Sequence, residues 1–265
     1  MLDLTEIRAR RPRAISEAAA SRVRPAELPE RLMVIAADHP ARGMLLGGER
    51  RDLLDRLVLA LSRPGVNGVL GTPDVLEDLL LLGALDGKVV FGSMNRGGLA
   101  GATWTLDDRF TAYDAESIDR SGFEGGKMLL RIDLEDERTA PTLAACAHAV
   151  SELAARELIA IVEPFWSDTT PEGAMKATTI ASGLGNTSAY TWLKVPIVEE
   201  LDRVLAVTTL PCLILGGGGP ANYEAWDRAL ALPTVRGLMI GRSLLYPEND
   251  DVAAAVDIAT GLVMA

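Results

Sequence analysis

Lys194 lies in Tyr190-Thr-Trp-Leu-Lys-Val-Pro-Ile197, a run that is otherwise almost wholly apolar. If the run is a β-strand, side chains alternate between its faces, and Tyr190, Trp192, Lys194 and Pro196 share one of them. A lysine placed there cannot easily carry its ammonium to water. Desolvation favours the neutral amine, and a second cation nearby lowers its pKa further. A neutral amine attacks a ketone and forms a Schiff base. The competing reading is a strand-end lysine that reaches solvent or binds an anion.

Lys127 is the candidate second cation. In Lys127-Met-Leu-Leu-Arg-Ile-Asp133, Lys127, Leu129, Arg131 and Asp133 fall on one strand face. The alternative is a structural layer of ion pairs joining Lys127 or Arg131 to Glu163 or Asp133. Asp38, in Ala-Ala-Asp-His-Pro, and Glu163, before Pro164, supply carboxylates. Schiff-base chemistry needs such groups for proton transfers at the carbinolamine oxygen and at a substrate hydroxyl. Asp38 also fits a turn or N-cap before Pro40, and Glu163 a structural ion pair. Gly216, Gly217, Gly218 and Gly219 form a run whose backbone N–H groups, at the start of a helix, suit a phosphate. A tight turn is the plainer reading of that run. Gly241 and Arg242, in Ile-Gly-Arg-Ser, offer a guanidinium for the same anion. His39, Ser93 and Asn95 are further polar residues at apolar run ends.

Other chemistries have less to work with. His39 and His148 are the only histidines, and His148 falls inside a helical pattern. A zinc site of the usual nitrogen and sulfur type therefore lacks ligands. A carboxylate-bound Mg²⁺ on Asp38, Asp133 or Glu163 stays open. No G-x-S-x-G elbow supports a serine nucleophile. Cys146 and Cys212 are the only cysteines and are far apart, so a reducing, cytoplasmic setting is expected.

Eight short apolar runs carry these residues: 32–38, 66–71, 88–95, 127–133, 158–166, 190–197, 211–216 and 235–245. Continuous apolar runs are what parallel strands buried on both faces require. Helical patterns separate them, at 49–61, 73–85 (with Thr72 as N-cap), 115–120, 142–156, 171–184, 198–207, 221–230 and 252–262. Eight such units predict a (β/α)8 barrel, whose reactive face is the ring of strand C-terminal ends. A doubly wound open sheet would want a G-x-G-x-x-G fingerprint after the first strand, and Asp38-His-Pro-Ala-Arg-Gly43 is not one. One helix over 4–21 is expected in an N-terminal extension, residues 1–30, ahead of a barrel domain at 31–265. The 265 residues carry a net charge of −11. That field argues against a basic nucleic-acid binder. No apolar run approaches the ~18 residues of a membrane span, and no signal-peptide core precedes residue 30.

Ala-Ala-Asp38-His-Pro-Ala-Arg-Gly, Lys127-Met-Leu-Leu-Arg-Ile-Asp, Glu163-Pro, Leu-Lys194-Val-Pro, the Gly216–Gly219 loop and Gly-Leu-Met-Ile-Gly-Arg242 together resemble the class I (Schiff-base) aldolases of the deoxyribose-phosphate/tagatose-bisphosphate aldolase superfamily. The resemblance covers about residues 32–247. It implies that Lys194 is the Schiff-base lysine, Lys127 the strand-four lysine, Asp38 the strand-one acid and Glu163 the acid/base carboxylate. It further implies cleavage of a phosphorylated keto sugar or keto acid in carbohydrate or inositol catabolism. No cofactor, no nucleic-acid or membrane partner and a homo-oligomer are expected with it. Arg131, Arg242 and the glycines would hold the substrate. Some relatives carry a proton-transferring tyrosine on the fifth strand, where this chain has Phe165 and Trp166. The N-terminal extension and the loop over 96–114 have no counterpart motif. The same barrel would also carry a Mg²⁺-dependent aldolase, a phosphosugar isomerase or a non-catalytic sugar-phosphate sensor.

Overall fold

The computed structural model describes residues 2–44, 46–95, 99–100, 108–168 and 170–265. Its apolar runs form β1 (Leu32–Ala37), β2 (Gly68–Gly71), β3 (Val89–Ser93), β4 (Gly125–Ile132), β5 (Ile159–Trp166), β6 (Thr191–Val195), β7 (Cys212–Leu215) and β8 (Val235–Ile240). All pair in parallel and in chain order, and β8 closes on β1. The fold is a (β/α)8 barrel. Helices follow each strand: α3 (Arg50–Ser62), α4 (Pro73–Leu81), α5 (Ala115–Arg120), α6 (Thr139–Ala154), α7 (Pro171–Ser182), α8 (Leu201–Leu205), α9 (Tyr223–Leu230), and α10 (Arg242–Leu245) with α11 (Val252–Met264). Two more, α1 (Leu4–Arg10) and α2 (Arg13–Ser21), precede the barrel. Among the described residues, no helix is long and apolar enough to cross a membrane.

Strand alternation divides the apolar residues into two cores. Met33, Ile35, Val69, Val90, Met128, Leu193 and Ile214 pack against the helices. Leu32, Val34, Leu70, Phe91, Ile161, Leu213 and Met239 fill the barrel, with Trp192 against them. Glycines make room where the strands crowd. Gly68 lies beside Val34, Gly125 beside Ile159, and Gly237 beside Leu32. Gly237 has φ +138°, and a Cβ there would fall 1.9 Å from the Leu32 carbonyl oxygen.

The N-terminal segment is two helices, not the single one expected, because Pro12 has no N–H to continue the ladder and clashes with the preceding turn. Ion pairs fasten it: Arg8 to Glu77 at 2.7 Å and to Asp78 at 2.9 Å, with Arg50 also on Asp78 at 2.8 Å. The buried Arg22 donates to the Lys88 carbonyl at 2.7 Å, to Glu124 at 2.7 Å and to the Gly122 carbonyl. Lys88, Gly122 and Glu124 precede β3 and β4, so this segment clasps the N-terminal end of the barrel, away from the reactive face. Thr72 is the N-cap of α4 as expected, but its side chain donates to Asp74 at 2.6 Å instead of accepting a helix N–H. Another boundary shifts. The run over 235–245 breaks at Gly241 into β8 and α10.

Gly237→Ala is expected to lower stability by about 3 kcal/mol, because backbone cannot yield to the new methyl group. Gly261→Ala is the contrasting case. It lies in α11 with nothing within 4 Å of an added Cβ, and is expected to raise stability by ~0.5–1 kcal/mol. Urea unfolding of the two variants checks both signs.

Candidate active site

The same alternation that fills the barrel turns Lys127, Leu129 and Arg131 of β4, Glu163 of β5 and Trp192 and Lys194 of β6 inward. Val162 of β5 pairs with Leu193 of β6, so the residues that follow them, Glu163 and Lys194, are at one height, level with Leu129 of β4. Lys127 pairs with Ile161, a level lower, and its long side chain climbs to that height. Asp38 is the first residue beyond β1. At this level the barrel holds four charged side chains within contact of one another. Lys194 Nζ is 3.0 Å from Glu163 Oε1, and Lys127 Nζ contacts Glu163 Oε2 and lies 3.1 Å from Asp38 Oδ2. All four residues are buried.

Their mutual fields separate the two lysines. Burial would lower Lys127, but Asp38 and Glu163 more than compensate, and its ammonium is held above the usual lysine value. Lys194 is pushed below that value. Burial dominates there, Glu163 opposes it, and the neighbouring Lys127 cation adds to it. Burial would raise both carboxyls, yet Lys127 and Lys194 hold Glu163 below its usual value. With Arg42 added, they hold Asp38 well below the carboxylate range. The cluster thus contains a fixed ammonium, two carboxylates and an amine biased toward its neutral, nucleophilic form.

The other expected site residues fall elsewhere. Arg131 is buried, but Asp108 holds its guanidinium at 2.5 Å and its backbone N–H at 3.1 Å. The guanidinium is thus engaged in an internal ion pair, and Asp108 stands in a loop with no periodic signal. Of the alternative ion-pair layer, the Lys127–Glu163 pair is present, while Arg131 pairs with Asp108. Asp133, half-buried, accepts the Glu135 N–H and turns the chain toward α6. Asn95 bonds the backbone of Leu129 on both sides, at 2.7 Å each, stitching β3 to β4. His148 is on the surface beside Glu152. Cys146 and Cys212 are buried thiols pushed up to about 12 by desolvation, which leaves them inert. The loop over 96–114 lies largely outside the described residues.

The glycine loop does not open a helix as expected. α9 starts only at Tyr223, and the Asn222 side chain caps it by accepting the Ala225 N–H. Gly241 is needed for packing, since a Cβ would fall 2.3 Å from the Ala36 carbonyl oxygen. Arg242 does meet the loop. It donates to the Gly217 carbonyl at 3.2 Å, and its guanidinium lies against Gly218. Gly218, Gly219, Arg242, Tyr223, Tyr246 and Asn249 line a cavity of about 550 Å³.

Two residues on the 3₁₀ turn after β1 complete the rim. His39 is buried with its ring edge-on to Tyr246. Burial lowers it to about 4 against the pull of Asp38, with Arg242 and Arg42 adding to the drop. Arg42 places Nη2 3.8 Å from Asp38 Oδ1. Nothing in the spacing assigns it; its only sequence signal is its place four residues after Asp38. Among the described residues, no cluster of three or more His, Cys, Asp or Glu is arranged to hold a metal ion.

The closed eight-stranded fold is one that solved aldolase structures share. Residues 30–260 match the Cgl0159-like family model, and the chain belongs to that family. It is 50% identical to Cgl0159 from Corynebacterium glutamicum, whose crystal structure aligns with a TM-score of 0.93 over 98% of this chain and 95% of that one. An archaeal fructose 1,6-bisphosphate aldolase aligns at 16% identity and TM-score 0.70, over 94% of this chain and 98% of that one. A fructose-bisphosphate aldolase from Slackia heliotrinireducens DSM 20476 aligns at 17% identity and TM-score 0.69, over 97% and 86%. At such identities the likeness is one of fold. No curated protein matches the sequence at a significant level.

The charge arrangement has a testable consequence. Neutral Lys194 increases as pH rises, so its labelling by acetic anhydride is expected to climb through a midpoint below that of an ordinary lysine. Lys127→Met removes the cation that lowers Lys194 and leaves Glu163 to it alone. The midpoint is then expected to move upward by about one unit or more. Peptide mass spectrometry across a pH series measures both midpoints.

Proposed function

We propose that this protein is a class I aldolase that cleaves a phosphorylated keto sugar or keto acid through a Schiff base on Lys194. The observation that carries the reading is the buried cluster in which Glu163 bridges two lysines with opposite tendencies. A structural ion-pair layer has no need for a lysine biased toward its neutral form. Support of a coarser kind comes from a solved structural neighbour of 16% identity, described as an archaeal fructose-1,6-bisphosphate aldolase with its catalytic lysine bound to a carbinolamine intermediate.

In this mechanism neutral Lys194 Nζ attacks the substrate ketone carbon. The carbonyl oxygen takes a proton, and Glu163, 3.0 Å from the amine, relays the proton released by nitrogen. Loss of water leaves an iminium. Asp38 or Glu163 then takes the proton of the hydroxyl on the carbon beyond the scissile bond. The C–C bond breaks, the aldehyde departs, and the bonding pair passes to the iminium as an enamine. Protonation at carbon and addition of water release the second fragment and restore the amine. Lys127 keeps both carboxylates ionised before each accepts a proton. Arg242 and the Gly216–Gly219 loop receive the phosphate, by charge and backbone N–H groups. Association into a homo-oligomer belongs to the same proposal.

Sodium borohydride reduction in the presence of dihydroxyacetone phosphate, pyruvate or malonic semialdehyde tests the reading by intact mass and peptide mapping. A covalent adduct on Lys194 with one of the three is expected, and Lys194→Met should abolish it. An adduct elsewhere, or full turnover by the variant, would sink the mechanism. Activity lost to a chelator, with no adduct, would move the assignment to a Mg²⁺-dependent reaction.

A further inference from the structure

We propose that Arg42 receives a carboxylate of the substrate, so that the site recognises a compound with two separate anionic groups, a phosphate at Gly218 and Arg242 and a carboxylate at Arg42. The inference deepens the Schiff-base reading and takes from it the position of the reacting carbon. Its starting point is an arginine with an unfilled fork. The Arg42 side chain is 19% exposed, and its nearest anionic oxygen, Asp38 Oδ1, is 3.8 Å away, beyond hydrogen-bond range. Its Nε is buried with no hydrogen-bond partner among the described residues. Buried polar groups are normally paired, and a guanidinium presents five donors in a planar array. An unpaired Nε alone does not single Arg42 out, since Arg22 Nε is unpaired too. What differs is the rest of the fork. The Arg22 Nη groups donate to two carbonyls and Glu124, and the Arg131 guanidinium binds Asp108, whereas Arg42 has only the 3.8 Å approach to Asp38, at the reactive end of β1.

Its position separates it from the phosphate-binding groups. Arg42 sits beside Asp38, which contacts Lys127, which contacts Glu163, which contacts Lys194. It therefore belongs to the rim of the reacting cluster. Arg242 is bonded to the Gly217 carbonyl of the glycine loop instead. Charge points to the same ligand. Lys127 and Arg42 balance Asp38 and Glu163 when Lys194 is neutral. An iminium on Lys194 adds one positive charge to this buried group, and a substrate carboxylate restores the balance. A planar guanidinium matches a carboxylate in bidentate fashion, whereas backbone N–H groups in a glycine loop suit a phosphate.

Binding of two probes without a carbonyl group tests this apart from any covalent step. Lactate offers a carboxylate and glycerol 3-phosphate a phosphate, and calorimetry on the full chain measures both. Arg42→Met is expected to weaken lactate by roughly tenfold or more, about 1.4 kcal/mol, and to leave glycerol 3-phosphate within about twofold. Arg242→Met is expected to do the reverse. Arg42→Lys, which keeps the charge but not the fork, should fall between wild type and Arg42→Met for lactate. It decides the matter if circular dichroism finds Arg42→Met unfolded. No lactate binding by the wild type, an unchanged lactate affinity in both Arg42 variants, or equal loss of both probes would overturn the proposal. Failure to trap an adduct with borohydride would defeat the Schiff-base reading but leave this crossover legible.

Discussion

Glu163 between two lysines is the interaction on which the rest of the site depends. One carboxylate satisfies the ammonium of Lys127 and touches the amine of Lys194. Burying such charges costs several kcal/mol per ion unless partners compensate. The cluster compensates unequally. Lys127 has two carboxylates and keeps its proton, while Lys194 shares one carboxylate with a competing cation and tends to lose its own. Removing any member would change the charge state of the others, so the four are one titrating unit.

The barrel makes that unit affordable. Closure brings β4, β5 and β6 side by side, and their alternation delivers every second residue to the interior. Phe91, Ile161, Leu213, Met239 and Trp192 fill the space beneath the charges. This apolar floor excludes water from below, so solvent and ligand meet the cluster only from the strand C-terminal ends. Glycines at 68, 125 and 237 permit the strand spacing on which the floor relies. Packing at the N-terminal end thus sets the dielectric in which the lysines titrate.

Much of this is legible in the chain because parallel strands buried on both faces read as unbroken apolar runs. A charge inside one, such as Lys194, is conspicuous. The inward parity of Lys127, Arg131 and Glu163 also follows from spacing. Spacing does not say which rows meet. Lys127 is a level below Glu163 and reaches it only through the stagger of a closed sheet and a four-carbon stem. Arg131 is captured by Asp108, from a loop without periodicity, so its partner was invisible. Arg42 went unassigned because a single arginine in a turn has no pattern. Helix ends misled where local chemistry had two outcomes. Pro12 divides one expected helix, whereas Pro141 sits within the first turn of α6, where its missing N–H costs nothing.

Arg22 binds partners 66, 100 and 102 residues further along the chain. During synthesis, at ~5–20 residues per second, the N-terminal helices therefore emerge several seconds before anything exists for this arginine to grip. The clasp closes only once the segment leading into β4 has left the ribosome. Arg22 is thus held only after β1, β2 and β3 have been made, at the moment the chain is about to enter β4.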